Sequence, residues 1–440
     1  MTVTALIHFS VGCAARTIRR FGARGAPYLL ALAAAGVQAG DLGDLLRASL
    51  EHPRAAARAG DVAAAGDDLK AAEARYYGQG SLVAGLSRYE HPRVVGMYTP
   101  GDPMPADTGR DIARAGVIYS LPVDVFGVVA KAREREQSNL QAARLLEAQD
   151  RLAHMHQTAS AWFRLQALTR QSEALGKLKA SVTVFRDRLV KEVALGKSAR
   201  VNQRLAESEY QRVLADEAQL AAGVESALAE LEEASGQRRR PGDSTIPLPA
   251  WREPALSETL PVKLAATRAS STRARAEESR RGNRPQLSLN GSWFDQHGGG
   301  ADNAVWEAGV QLSVPLTPSG WRSTDVESAR ARVAEDERRA AERDTAKQLA
   351  SLKAAYDSAR ASVAALEAES TYRTEVVAVE REKTRLGAQT LENLLRTERD
   401  LLDAEYRLAS SRAQAAYAWS AVQVLAGAPE AEYIETLERR

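Results

Sequence analysis

The chain contains itself twice, and that duplication limits what it can fold into. Gly116-Val-Ile-Tyr-Ser-Leu-Pro-Val-Asp-Val-Phe-Gly127 is echoed by Gly309-Val-Gln-Leu-Ser-Val-Pro-Leu-Thr-Pro-Ser-Gly320. Leu195-Gly196 pairs with Leu386-Gly387, and Gly236 with Gly427, both at an offset of 191, which is 387 minus 196 and 427 minus 236. A repeat this long is no solenoid period. It is a duplicated half, each reading strand, strand, long helix, turn, long helix.

Four segments alternate between apolar and polar residues. They are Leu82 to Tyr89, the weakest, then Ala113 to Val123, Gln286 to Phe294 and Trp306 to Leu316. At about 9–11 residues each suits a tilted strand crossing a bilayer. The links Met97 to Arg110 and Asp295 to Asn303 are rich in Gly, Pro, Asp and Asn and are expected to be flexible loops. Trp293, Trp306, Tyr89 and Tyr98 are expected near a membrane interface. Alternation alone also fits two half-buried hairpins on a soluble protein. Four strands cannot close a barrel, which in bacteria needs at least about 8, so spanning demands an oligomer that pools them.

From Phe126 to Lys191 and from Ser323 to Arg385 there is no proline. Each run predicts a helix of roughly 95 Å at 1.5 Å per residue. Shorter helices follow over Ala199 to Ala234 and Thr390 to Ala426, and others are expected over Asp41 to Glu73 and Leu256 to Arg281. The stripe Leu394/Leu395, Leu401/Leu402, Leu408/Ala409, Ala415/Ala416, Val422 has a period of seven, which means side-by-side coiled packing. Gly196 and Gly387 allow tight reversals at the ends far from the strands. The domain reading is a signal peptide over 1–39, a first repeat over 40–236, a linker over 237–255, a second repeat over 256–430 and a tail over 431–440.

The leader rests on Arg16, Arg19, Arg20 and Arg24 ahead of an apolar run that ends at the A-x-A-like Val37-Gln38-Ala39. Its removal changes 59 basic and 57 acidic residues, net +2, to 55 and 57, net −2. No basic excess then argues for nucleic acid. Cys13, the only cysteine, leaves with the leader or is a site of lipid attachment. After the leader no apolar stretch is long enough for a transmembrane helix, so an exported chain is periplasmic, extracellular or spans lipid with strands. His154-Met155-His156 suggests a metal site, but residues i and i+2 on a helix do not converge. No phosphate loop, nucleophile elbow or zinc spacing occurs. The chain is read as no enzyme, with no cofactor and no metal.

The ordered landmarks resemble the TolC family of outer-membrane efflux channels over about residues 41–430. The likeness is carried by Ser-Leu-Pro122 and Ser-Val-Pro315 with Gly127 and Gly320, by Asn283-Arg-Pro-Gln-Leu-Ser288, by Arg385-Leu-Gly-Ala-Gln-Thr-Leu-Glu-Asn393-Leu-Leu395, and by Tyr417 to Gly427. The resemblance implies a mainly α protein with membrane β structure. Three chains would pool four strands each into a 12-stranded barrel, continued through the periplasm by an α-helical barrel. It implies a homotrimer in outer-membrane lipid that docks to a periplasmic adaptor and an inner-membrane pump. By position, Pro122, Gly127, Pro315 and Gly320 mark the strand-to-helix switch. Leu195, Gly196, Lys197, Leu386, Gly387 and Ala388 are the docking turns. The family commonly has an acid six residues past the turn glycine. Here those positions are Asn202 and Asn393, with Arg204 and Arg396 nearby, so the pore mouth is expected to be neutral or positive. A periplasmic coiled-coil scaffold without a pore is the alternative, and the duplicated strands argue against it.

Overall fold

A computed structural model describes residues 39–40, 42–95, 108–242, 245–386 and 388–438. The leader with Cys13, Tyr98, most of the first inter-strand link and Gly387 lie outside the described residues.

Eight helices and six strands follow one another among the described residues. Helices α1 (Leu42–Ser49) and α2 (Pro53–Ala74) divide the first predicted helix. The division is local chemistry: Pro53 lacks the N–H that would continue α1, and the His52 ring accepts the Arg54 N–H at 3.2 Å as the cap of α2. Strands β2 (Gln79–Val94) and β3 (Thr108–Val123) lead into helix α3 (Val128–Ala194), which reverses into α4 (Arg200–Ser235). The second half repeats the order. It runs α5 (Leu260–Gly282), β5 (Gln286–Gly298), β6 (Ala301–Ser313), α6 (Pro318–Arg385) and α7 (Leu391–Ala426), and helix α8 (Glu430–Glu438) ends the chain. With 67 and 68 residues, α3 and α6 are each about 100 Å long. Two short strands, β1 (Ala39–Gly40) and β4 (Arg240–Pro241), pair in parallel.

The four long strands form one antiparallel sheet in the order β2-β3-β5-β6. The strands are longer than the alternation predicts, at 16, 16, 13 and 13 residues. Hydrogen bonding in the ladder does not stop where apolar side chains do, so pairing runs on through Arg88, Arg93 and Asp111, across a register shift between Arg88 and Arg93. The expected loop Asp295 to Asn303 is corrected most. Asp295↔Ala304 and His297↔Asp302 are paired, and Gly299-Gly300 alone makes the turn. Both glycines have positive φ, 62° and 90°, as a two-residue turn matched to strand twist requires. At the other end β6 stops at Ser313, three residues short of Leu316, ahead of Pro315, which has no N–H to give a ladder.

The long helices lie side by side. Helix α3 packs on α4 and on α7, and α6 packs on α7, giving the row α4-α3-α7-α6. The larger apolar core forms where α1, α3, α4, α7 and α8 meet. Leu45, Leu46, Leu165, Leu228 and Leu231 are fully buried there, with Trp162, Trp419 and Tyr433. Each such Leu stabilises the fold by about 1.5–3 kcal/mol. A second core, nearer the turns, joins Val182, Phe185 and Leu189 of α3 to Ala206 and Val213 of α4 and to Leu395 of α7. The residues assigned to a tail form α8, whose Tyr433, Ile434 and Leu437 are buried.

Candidate channel elements: sheet face, switch and turns

The register sorts the sheet residues into two faces. Leu82, Val117, Trp293 and Trp306 lie in one cross-strand row, and Leu121, Leu289 and Val310 in another. Both rows share a face, because they are an even number of residues apart on every strand. That face is exposed and apolar: Leu82 is 86% exposed, Trp306 71% and Val310 70%. The opposite face carries Ser120, Asn290 and Gln311. Ser120 Oγ donates to Asn290 Oδ1 at 2.7 Å, and Asn290 Nδ2 to Gln311 Oε1 at 2.9 Å. Past the tryptophans the apolar face turns charged, at Asp295, His297 and Asp302, where His297 touches both carboxylates. From Ser313 to Trp306 the apolar band spans about 23 Å at ~3.3 Å per residue, close to the ~25 Å height of a membrane barrel's apolar band. Trp321 and Tyr77 are exposed at the other end of the sheet, beside the helices.

Strand becomes helix through a device that the prolines only partly mark. Pro122 lies inside β3, opposite Ser288. Pro315 lies beyond β6, and α6 starts at Pro318, so the two prolines do not hold equivalent places. Gly127 caps α3 with φ 71°, and Gly320 is the third residue of α6. The end of α5 holds both. Arg281 Nη1 donates to the carbonyls of Phe126 and Gly127 at 3.2 and 3.3 Å, and Asn283 Nδ2 to the Gly320 carbonyl at 3.0 Å. Asp124 accepts the N–H groups of Val128 and Ala130, at 2.5 and 3.0 Å, and so satisfies the first turn of α3. Sequence reasoning missed Asp124 and Arg281. Asp124 was legible, since an Asp just before a helical run is a capping signal. Arg281 was not, because its partners are over 150 residues away.

The turns repeat one motif. Gly196 sits at φ 68°, its N–H donates to Val193 O at 3.0 Å, and the Lys197 N–H reaches Glu192 O at 2.8 Å. This is the Schellman pattern. Ala388 N–H reaches Lys383 O at 2.9 Å in the second turn, the same five-residue reach; Gly387 itself is outside the described residues. Leu195 and Leu386 are 68% and 67% exposed. Asn202 and Arg204 lie in the first turns of α4, and Asn393 and Arg396 in those of α7. Asn202 Nδ2 donates to Ser198 Oγ at 3.1 Å, while Arg204 and Arg396 have no ion pair among the described residues. Just beyond, Arg399 contacts Glu209 across to α4, and Arg381 pairs with the buried Glu398 at 2.8 Å. Both turns therefore stand at the same end of the helical row. His154 and His156 occupy different contacts, His52 and Ser420 respectively, and no metal-binding group of three residues occurs among the described residues.

Residues 251–428 match the family model described as outer membrane efflux protein. No curated protein matches the sequence. Solved structures with this fold include the CmeC outer membrane channel of Campylobacter jejuni (TM-score 0.74, 13% identity, 90% of this chain and 89% of that one). The outer membrane protein VceC of Vibrio cholerae matches at TM-score 0.71 and 16% identity, over 88% and 96%. The open state of the MtrE outer membrane channel of Neisseria gonorrhoeae matches at 0.71 and 18%, over 88% and 88%. In fold, then, the chain is similar to outer-membrane efflux channels along most of its length. The resemblance to the TolC family is borne out, with the outer membrane efflux protein match over residues 251–428.

Proposed function

We propose that the protein is the outer-membrane channel of a tripartite export system, a passive duct that docks to a periplasmic adaptor and an inner-membrane pump. The observation that carries this reading is the sheet. Its edge strands β2 and β6 each have one free side among the described residues, and one face carries an exposed apolar band. Open edges of 13 and 16 residues are an aggregation hazard unless paired. Three copies placed edge to edge make 12 strands, enough to close a barrel with the apolar face toward lipid and Ser120, Asn290 and Gln311 toward water. No helix among the described residues is long and apolar enough to cross a membrane, so strands are what would span it. The helical row α4-α3-α7-α6 continues this barrel as a wall reaching into the periplasm. The exposed Leu195 and Leu386 at its far end offer apolar docking points for an adaptor. Arg204 and Arg396, without carboxylate partners among the described residues, make a neutral or positive mouth that binds cations weakly. The pump decides the cargo.

Fractionation tests this reading. Extraction from the outer membrane only with detergent, cross-linking to three copies, and single-channel conductance are the expected results. A water-soluble monomer in periplasmic extract refutes it. Strong cation selectivity with block by divalent ions at the mouth refutes the account of Arg204 and Arg396.

A further inference from the structure

Three histidines line one cleft of the helical row: His52 from the α1–α2 junction, and His154 and His156 from α3. His52 caps α2, and its ring lies 4.8 Å from the His154 ring, tilted by 31°. His154 is 6% exposed, and its Nδ1 is buried without a hydrogen-bond partner. On its other side His156 turns toward α7, where its Nδ1 lies 2.7 Å from Ser420 Oγ and its ring 4.7 Å from the ring of Tyr417. Ser420 Oγ in turn meets the Tyr433 hydroxyl of α8, which is almost completely buried. A single polar chain therefore joins α3 through α7 to α8, and a ring pair joins α3 to the α1–α2 junction.

We propose that His154 and His156, the first packed against the His52 ring, form an acid-sensitive clasp, which fastens the α1–α2 junction and α8 onto α3 and α7 at neutral pH and releases them on acidification.

The surroundings leave little to stabilise a charged ring. Arg54 lines the same cleft. Of the nearby carboxylates, Asp150 is bonded to Arg58 and Glu230 to Arg164, Glu430 is bonded to Arg151, and Glu233 is the remaining acid lining the cleft. Tyr417 and Tyr433 bring hydroxyls and no charge. A proton on His154 would face His52 and Arg54 inside an apolar wall. Burial first, then His52 and Arg54, hold His154 below the usual imidazole range, while Asp150 and a side-chain hydrogen bond with Gln157 act more weakly in the opposite sense. Burial holds His156 at about 4. Once released into water the His154 and His156 rings titrate near the ordinary imidazole value of about 6.5. The open form therefore binds more protons than the closed form between those values, so the clasp is complete above about pH 6.5 and is lost as pH falls. For His156 alone, the gap between about 4 and about 6.5 favours opening about 30-fold at pH 5 relative to pH 7.5. His154 adds to this in the same direction.

Hydrogen exchange on the full-length protein in detergent, corrected for the intrinsic effect of pH, tests the clasp. Protection of peptides from 42–58 and 430–438 should fall about 30-fold or more between pH 7.5 and 5.0, while 286–298 in the sheet holds steady. The double variant His154→Phe/His156→Asn keeps a ring and a hydrogen-bonding group but cannot titrate there, and it should abolish the response. His297→Gln, far away in β5, should leave it intact. The wild-type series decides by itself if the double variant fails to fold: flat protection in those two peptides overturns the clasp. A full response in a folded double variant overturns it equally.

Discussion

Placing one positive charge on each face of the sheet separates a membrane barrel from a soluble hairpin pair. Val310 stands on the apolar face, 70% exposed. It lies three residues from the end of β6 and four from Trp306, or about 10 and 13 Å at ~3.3 Å per residue, which is mid-depth in the apolar band. A charge at the midplane of a barrel's lipid face costs about 2–4 kcal/mol, so Val310→Arg should lower the folding equilibrium constant by about 30-fold to 700-fold at 1.4 kcal/mol per tenfold. Glu307 stands on the opposite face, where Glu307→Arg meets water and should change stability by no more than about 0.5 kcal/mol. On a soluble protein both substitutions are surface changes, and both fall inside that small range. Urea titration of folding into lipid vesicles, followed by the fluorescence of Trp293 and Trp306, measures the difference. A cost below about 1 kcal/mol for Val310→Arg, or equal costs for the two variants, refutes the assignment of faces.

Three further outcomes are expected. Asp124→Ala removes the acceptor for two N–H groups at the start of α3 and should cost about 1 kcal/mol, read as a lower thermal midpoint. Leu195→Asp with Leu386→Asp alters only exposed side chains at the turns; export should fall while the amount of assembled protein in the membrane stays constant, and normal export would remove these turns as docking points. Tyr433→Phe takes the hydroxyl from Ser420 inside a closed core and should cost about 1 kcal/mol, with thermal unfolding as the measurement.

Much of this architecture is written locally. Absence of proline from Phe126 to Lys191 and from Ser323 to Arg385 commits those stretches to helix, because nothing in them interrupts the i→i−4 ladder. The seven-residue stripe in α7 commits it to a side-by-side neighbour, and Leu394, Leu395, Ala415, Ala416 and Val422 are indeed buried. Alternation names the strands and which side chains share a face, but not where strands end: at Asp295 to Asn303 loop-forming residues are held in the ladder by pairing, and two glycines suffice for the turn.

The set of elements, their duplication and the chemistry of each face can be read along the chain, since they follow from its repeats and from periods of 2, 3.6 and 7 among neighbouring residues. Long-range packing pairs β3 with β5 and so joins the two repeats into one sheet with two open edges among the described residues. It alone places Arg281 of α5 and Asn283, the residue just after it, on the two strand-to-helix switches, and brings His52 against His154. Each of these joins residues distant in the chain, and a contact of that kind is fixed by packing and by the need to satisfy buried polar groups, which no local pattern records.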